Sequence, residues 1–599
     1  MLSVPFASNP KLMCLSVDQY GDGNYWRILA MAGQNEIVVR FAGEGGQGVV
    51  TAAEMLARAA TGVGYHALTF ATFPSQILGG PTWTQARVAK EPVLSPGDSV
   101  DILVAFNDEA YQEHKSDVRE GGVILVDPSV TPSDDDSNHR CIQVPFDDLA
   151  KETGESRAAN MVVMGGLSKL INMPLEYFKD FVSERFAGRD SIIQANHKAL
   201  DLGLHQLENE QAISDLGAPT PPDYPQIFIK GNEALSIGAI HAGIEFYFGY
   251  PISPATPILI FMERNLLGEG KFAYQASSEI EAITGIVGAG FSGKKSMTAT
   301  SGPGFTLMGE GIGLAWMAEI PCVVVDVQRG GPATGLPTKT EQSDLLTAIS
   351  PAHGDAKIPV IAAGTVEECF YAAVHAFNWA ETYQGPVIIL SEHSLAERAQ
   401  NIRIPNLSET PVENRITYQG NNGYLRYESK EISPFPVPGN PGSYVANGSE
   451  HDIYGDTTHL AKYHIHMTER RFSKLELLEN APFESTNTNA KVAIMPWGGS
   501  KGSAQEAYNL LREQGVELSW YYTMFLNPLS PDLIKELKGK DLVIVPELNY
   551  QGQFASLLRS QGIKAEAITQ YTGLPFQSSL LVERINERLV QFKNDAVVG

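Results

Sequence analysis

Cysteine is scarce in this chain: four residues in 599, Cys14, Cys141, Cys322 and Cys369, widely scattered and with no C-x-x-C pair. That pattern excludes a disulfide framework and speaks against a zinc site or an iron–sulfur cluster held by this polypeptide alone. Positive charge is also short, with 44 Lys and Arg against 69 Asp and Glu and a formal net charge of −25. A nucleic-acid surface needs clustered Lys and Arg to neutralise phosphates, so no nucleic-acid partner is expected. No apolar run reaches the roughly 18 residues of a membrane span, and no membrane association is expected. Residues 1–35 show neither the basic start nor the apolar core of a signal peptide, and they read as an irregular extension of a cytoplasmic protein.

What the chain does have is short apolar strands that run into glycine. Residues 37–54 read IVVRFAGEGGQGVVTAAE: a strand, then Gly43-Glu44-Gly45-Gly46-Gln47-Gly48, then a helix-like stretch rich in alanine. A G-x-G-x-x-G spelling between strand and helix is the context of a dinucleotide-binding turn. A nicotinamide site also calls for an acidic residue about 20 residues further on. Residues 65–76 read YHALTFATFPSQ there, without a carboxylate. The loop reads first as a structural or interface turn, with an NAD(P)-dependent oxidoreductase as the alternative.

Composition breaks divide the chain. Residues 36–207 alternate apolar strands (IVVRFAG, DILVAFN, GGVILVDPS) with helical patterns, the signature of a parallel α/β unit. A polar, proline-rich linker follows over 208–226. A second α/β unit covers 227–400, with strands at KKSMTATS, PCVVVDVQ and GPVIILSE. Residues 401–490, dense in Gly, Pro and Asn over 414–456, read as an extended connecting segment. The last unit, 491–599, again runs strand, helix, strand, from KVAIMPWG to DLVIVPELN. The expected fold is therefore three consecutive α/β domains with parallel sheets.

The middle unit carries the most specific residues: FYFGYPISPATPI at 246–258, QASSEIEAITGIVGAGFSGKKSMTATSGPGF at 275–305 and VVVDVQRGGPATGLPTKTEQSDL at 323–345. With GEGGQG near the start and PELNYQGQFA at 546–555, they resemble the 2-oxoacid:ferredoxin oxidoreductases, in the form of a fused gamma-alpha subunit. The resemblance runs from about residue 36 to about 570. It implies a gamma-type domain, a thiamine pyrimidine-binding domain and a transketolase C-terminal-like domain. It further implies thiamine-diphosphate-dependent oxidative decarboxylation of a 2-oxoacid with coenzyme A, electrons leaving to ferredoxin, and the reverse carboxylation run with the same parts. Of the possible substrates, 2-oxoglutarate is favoured over pyruvate or a broad range, because a gamma-alpha fusion is common in that branch. The Mg2+ and the [4Fe-4S] cluster are expected on a separate beta subunit, in a dimer of alpha-beta heterodimers inactive without it.

Glu279 matches the family's glutamate, whose carboxyl bonds the pyrimidine ring and must be poised in a dry site. Its competing reading is a first-turn charge facing the helix dipole, a role that Glu281 fits better. Arg329 follows the run 322–327 directly, just outside the carboxyl end of a strand, where α/β sheets place ligands. The resemblance makes it the grip on the substrate carboxylate, and an interdomain salt bridge is the alternative. Tyr250-Pro251-Ile252-Ser253-Pro254 resembles a Y-P-I-T-P motif, with Ser253 keeping the hydroxyl and losing the methyl. Ala255-Thr256 stands where a Ser-Ser pair is common. The structural alternative for this stretch is a proline-braced turn. Thr300, Ser301 and Gly302 read as a cofactor wall or as a tight turn, and Thr334, Gly335 and Thr338 as shapers of the pocket. Gly21-Asp22-Gly23 has no asparagine at motif spacing and is rejected as a metal–diphosphate motif, so no metal ligand is expected in this chain. Ile77-Leu78-Gly79-Gly80 stands where related gamma domains tend to carry a basic A-R-G-G stretch. Glu547, Asn549, Gly552 and Gln553 are assigned first to packing or subunit contact.

Overall fold

The structure, a computed structural model, describes residues 36–74, 80–132, 138–155 and 158–598. The 1–35 extension, with Cys14 and Gly21-Asp22-Gly23, lies outside the described residues, as do Ile77, Leu78 and Gly79.

Three sheets of eight, seven and five strands carry the fold. In the first, Glu36–Glu44, Val100–Ala105, Val118–Val126 and Arg140–Gln143 run parallel, and Pro81–Ala89 and His66–Thr72 add an antiparallel hairpin. The second runs parallel through Val360–Ala362, Pro386–Glu392, Cys322–Gln328, Ser296–Thr300, Phe246–Gly249 and Phe272–Gln275. Cys322–Gln328 and Pro386–Glu392 are buried along their whole length. That is why they read as near-continuous apolar runs. The third sheet is parallel apart from Glu484–Thr486.

The sheets are not sealed units. Gln226–Lys230 and Ala399–Arg403, at the two ends of the middle unit, pair with each other and extend the first sheet beyond His66–Thr72. Asn401 fixes this junction, accepting from the Ala67 N–H at 2.8 Å and donating to Gln226 at 2.8 Å. In the same way Phe525–Asn527, from the last unit, joins the edge strand Val360–Ala362 of the middle sheet. Each exchange covers an edge whose unpaired N–H and C=O groups would otherwise be exposed.

The glycine turn serves the chain itself. Gly48 caps the helix Val49–Gly62 with φ 78°, a left-handed conformation natural to glycine. Asn160 Nδ2 donates to its carbonyl at 3.1 Å, and Gln47 Oε1 accepts from the Glu44 N–H at 2.7 Å.

One expectation needs correction. The 401–490 segment is not extended throughout: Ala461–Ser473 is an α-helix and Lys474–Leu478 a 3-10 turn. The buried face of the helix is Met467, Arg470 and Arg471, so no apolar periodicity betrays it. Those cations have a purpose. Glu319, fully buried, accepts from Arg470 Nε at 2.8 Å, Arg470 Nη2 at 3.0 Å and Lys474 Nζ at 2.8 Å. Arg426 Nη2 donates to its backbone carbonyl at 3.0 Å. Burial alone would raise the Glu319 carboxyl, but Lys474, Arg470 and Arg426 hold it well below the usual carboxylate range. The connecting segment is thus stapled to the middle unit by charge. Glu319→Gln would strand three buried cations, at an expected cost of about 3–5 kcal/mol. A urea-denaturation midpoint equal to wild type would contradict this.

Candidate functional site

The site gathers at the carboxyl ends of Ser296–Thr300 and Cys322–Gln328, the place where open α/β sheets bind ligands. Ser278 caps the helix Glu279–Phe291, its hydroxyl accepting from the Glu281 N–H at 3.2 Å. This sends two carboxylates opposite ways. Glu281 stays half-buried at the surface and accepts from Ser277 N–H and Oγ at 2.5 and 2.6 Å, the first-turn role expected of it. Glu279 turns inward and is 7% exposed.

Glu279 meets a wall with no room to spare. A Cβ placed on Gly304 would lie 2.5 Å from Glu279 Oε1 and would also collide with Thr300 Oγ1, so the carboxyl, Thr300 and the glycine share one corner. Thr300 and Ser301 are fully buried, and Ser301 Oγ has no hydrogen-bond partner among the described residues. A buried hydroxyl without a partner costs about 1–3 kcal/mol.

Arg329 is 7% exposed, and its Nη1 donates to the Ser253 carbonyl at 2.6 Å. The structure therefore joins two predicted residues, Ser253 and Arg329, through the serine's backbone. Arg329 Nε is buried and has no hydrogen-bond partner among the described residues. Ser253 is exposed, Tyr250 sits at the rim, and Pro251 and Ile252 are half-buried, Ile252 packing against the core. Asn232 Nδ2 steadies this turn by donating to the Pro254 carbonyl at 3.0 Å. Thr334 and Gly335 are exposed, and Thr338 is turned to the first unit, donating to the Phe73 carbonyl at 2.7 Å.

Two features were missed in the sequence. Gln342 locks the loop after Arg329 to the last unit. Its N–H donates to the Leu548 carbonyl at 2.7 Å and its Oε1 accepts from the Leu548 N–H at 2.9 Å. Its Nε2 donates to the Trp497 carbonyl at 2.8 Å, and its own carbonyl accepts from Asn549 at 3.0 Å. Behind it, Glu547 accepts from Trp497 Nε1 and from the N–H groups of Phe554 and Ala555 within the last unit, while Gln553 crosses to the middle one, accepting from the Leu346 N–H at 3.1 Å and donating to the Ser343 carbonyl at 2.7 Å. The second is a carboxyl pair, Asp326 and Asp344, beneath Arg329. The signal was there: Asp326 is the lone charge in the apolar run 322–327.

Two family models match the chain: "Pyruvate flavodoxin/ferredoxin oxidoreductase, thiamine diP-bdg" over residues 237–470 and "Pyruvate ferredoxin/flavodoxin oxidoreductase" over residues 38–206. The Mycobacterium tuberculosis protein named 2-oxoglutarate oxidoreductase subunit KorA is 31% identical, the match covering 90% of this chain and 89% of that one. Subunit alpha of the Aeropyrum pernix 2-oxoacid:ferredoxin oxidoreductase 2 is 30% identical over 92% of this chain and 98% of its own length. Among solved structures, the Magnetococcus marinus 2-oxoglutarate:ferredoxin oxidoreductase, with 2-oxoglutarate, coenzyme A and succinyl-CoA bound, superposes with a TM-score of 0.88 at 36% identity. That match covers 92% of this chain and 99% of that one.

The corner at Gly304 yields a paired test. Gly304→Ala should cost about 1–3 kcal/mol by overpacking against Glu279 and Thr300. Gly288→Ala, in the Glu279 helix with open space around it, should gain up to ~1 kcal/mol. Equal melting temperatures for the two variants would contradict the close approach.

Proposed function

This chain belongs to the 2-oxoacid:ferredoxin oxidoreductases as an alpha subunit, and from that premise we propose that it oxidatively decarboxylates 2-oxoglutarate with coenzyme A in the cytoplasm, passing electrons to ferredoxin. The observation that carries this is the buried carboxyl of Glu279 against Thr300 and a glycine wall, one strand away from the buried guanidinium of Arg329. The choice of 2-oxoglutarate over pyruvate follows the M. tuberculosis and M. marinus relatives, whose names carry that substrate.

Thiamine diphosphate is the guest proposed for this corner, on the partnerless Ser301 hydroxyl and the inward carboxyl of Glu279. Glu279, Thr300, Ser301 and Gly302 would hold the pyrimidine side, with Pro251 and Ile252 flanking it. Bound there, the cofactor supplies a nucleophilic carbon and an electron sink for the carboxylate that leaves. Glu279, buried beside Thr300, is the group that would pass a proton to and from a ring nitrogen. Arg329 offers Nε and its remaining N–H groups to the substrate carboxylate, and its bond to the Ser253 carbonyl fixes the fork's orientation. Tyr250 and the Ser253 hydroxyl stand at the mouth, where the rest of the substrate enters.

No group of His, Cys, Asp and Glu that could hold a metal ion occurs among the described residues. A beta subunit bringing Mg2+ and a [4Fe-4S] cluster completes the proposal. Tyr250, Tyr274, Ile280, Leu307 and Leu346 are exposed apolar side chains around the site, and they fit a partner that covers the mouth. Assembly as a dimer of alpha-beta heterodimers, and operation in the carboxylating direction, belong to the same reading. No helix among the described residues is long and apolar enough to cross a membrane.

The test is anaerobic co-purification with the partner subunit, then viologen reduction with coenzyme A, thiamine diphosphate and either 2-oxoglutarate or pyruvate. Reduction is expected with 2-oxoglutarate, from the complex and not from this chain alone. Glu279→Gln should lower kcat by about 100-fold or more, and Arg329→Lys should raise KM by about tenfold, or ~1.4 kcal/mol. Undiminished turnover in the Glu279 variant, or turnover of pyruvate alone, would refute the corresponding part.

A further inference from the structure

Beneath Arg329 lie two carboxyls that none of the roles above uses. Asp326 sits in the strand Cys322–Gln328, paired in register with Thr300, and is completely buried. Asp344 precedes the short helix Leu345–Ile349, its N–H donating to Gln328 Oε1 at 3.1 Å. A Cβ on Gly302 would lie 3.2 Å from Asp344 Oδ2, so the pair underlies the cofactor wall as well as Arg329. Both oxygens of Asp326, and Oδ2 of Asp344, are shut off from solvent with no donor among the described residues. With both carboxyls ionised neither has a partner. One retained proton lets each serve the other, as in any pair of like charges confined together.

We propose that Asp326 and Asp344 share one proton, and that the single charge they keep is the counter-ion positioning Arg329 and competing with the substrate carboxylate for it. The proposal rests on Arg329 being the carboxylate grip. Burial first, then the charge of Asp344 and the bond with it, push Asp326 well above the usual carboxylate range, with Arg329 opposing. Burial first, with Glu341 adding and Asp326 and Arg329 opposing, pushes Asp344 up to about 6. Among the described residues, Glu341, Arg329 and the partner aspartate are the charged groups that act on each carboxyl of the cluster. As pH rises through about 6, the pair therefore goes from neutral to singly charged. Arg329 then gains a competitor for the incoming carboxylate, and KM rises.

Asp326 and Asp344 are positioning residues, and two isosteric variants separate that role from a merely structural one. In Asp344→Asn the carboxyl that titrates at about 6 is gone, so KM for the 2-oxoacid should lose its rise through about pH 6 and stay at the wild type's acid value there. In Asp326→Asn the amide donates to Asp344 as the protonated Asp326 does, so KM should keep its rise through about pH 6. On the isolated chain, the infrared difference between wild type and Asp326→Asn at neutral pH should show loss of one protonated-carboxyl C=O band, with melting temperatures reporting that both variants fold. No such band, or KM profiles parallel to wild type in both variants, would overturn the proposal. If either variant fails to fold, loss of about half the protonated-carboxyl signal of the pair as the wild type is titrated through about pH 6 decides the matter in its place. A complex that turns over no 2-oxoacid would refute the proposed function and leave the infrared result standing.

Discussion

The loop from Gly330 to Asp344 is held by hydrogen bonds to all three α/β units, and the site depends on that anchorage. Thr338 reaches the first unit at Phe73, Thr340 N–H donates to Gly573 in the last at 3.2 Å, and Gln342 is fully engaged with Leu548, Trp497 and Asn549. Within the loop, Gly330 N–H donates to the Lys339 carbonyl at 3.0 Å and Leu336 N–H returns to Gly330 at 2.8 Å. Ordering each residue costs ~1–2 kcal/mol, more than one hydrogen bond contributes net. What tips the balance is that Gln342 and its partners Leu548, Trp497 and Asn549 are buried. Releasing the loop would strand several polar groups together, at ~1–3 kcal/mol each. Arg329 and Asp344, at its two ends, are thereby fixed relative to each other.

On that frame the middle unit places carboxyl groups in unlike settings, and the setting decides the role. Glu319 meets three cations and serves only to hold the chain together. Asp326 and Asp344 meet each other and one guanidinium. Glu279 is buried against the Thr300 hydroxyl and the Gly304 backbone. The two buried thiols of this unit, Cys322 and Cys369, are pushed up by burial and stay protonated, inert against this chemistry.

Much of the fold was legible because buried parallel strands write themselves as apolar runs, and 322–328 and 386–392 do so plainly. What the sequence hides is long-range pairing. Nothing local in 226–230 or 399–403 says that these strands leave their own unit for the first sheet, and three residues at 525–527 are too few to announce a strand. The helix Ala461–Ser473 escaped because its inward face is charged. At the site, Glu279 and Arg329 stood out by position, one opening an apolar helix and one ending an apolar strand. Gln342 did not, since a glutamine in TKTEQSDL looks like any polar loop residue until its four bonds are seen. Asp326 was visible as a charge in a buried strand, but its partner lies 18 residues on, across a loop whose path the sequence does not give.

The most direct measurement is native-state hydrogen exchange across 329–345 in the chain without partner or cofactor. If the loop is anchored as described, the N–H groups of Gly330, Leu336, Thr340 and Gln342 exchange as slowly as the strand Cys322–Gln328, opening only when the third unit detaches. Exchange of those amides at the rate of an unprotected loop would show that Arg329 is not pre-positioned by this chain and would contradict the assembled site.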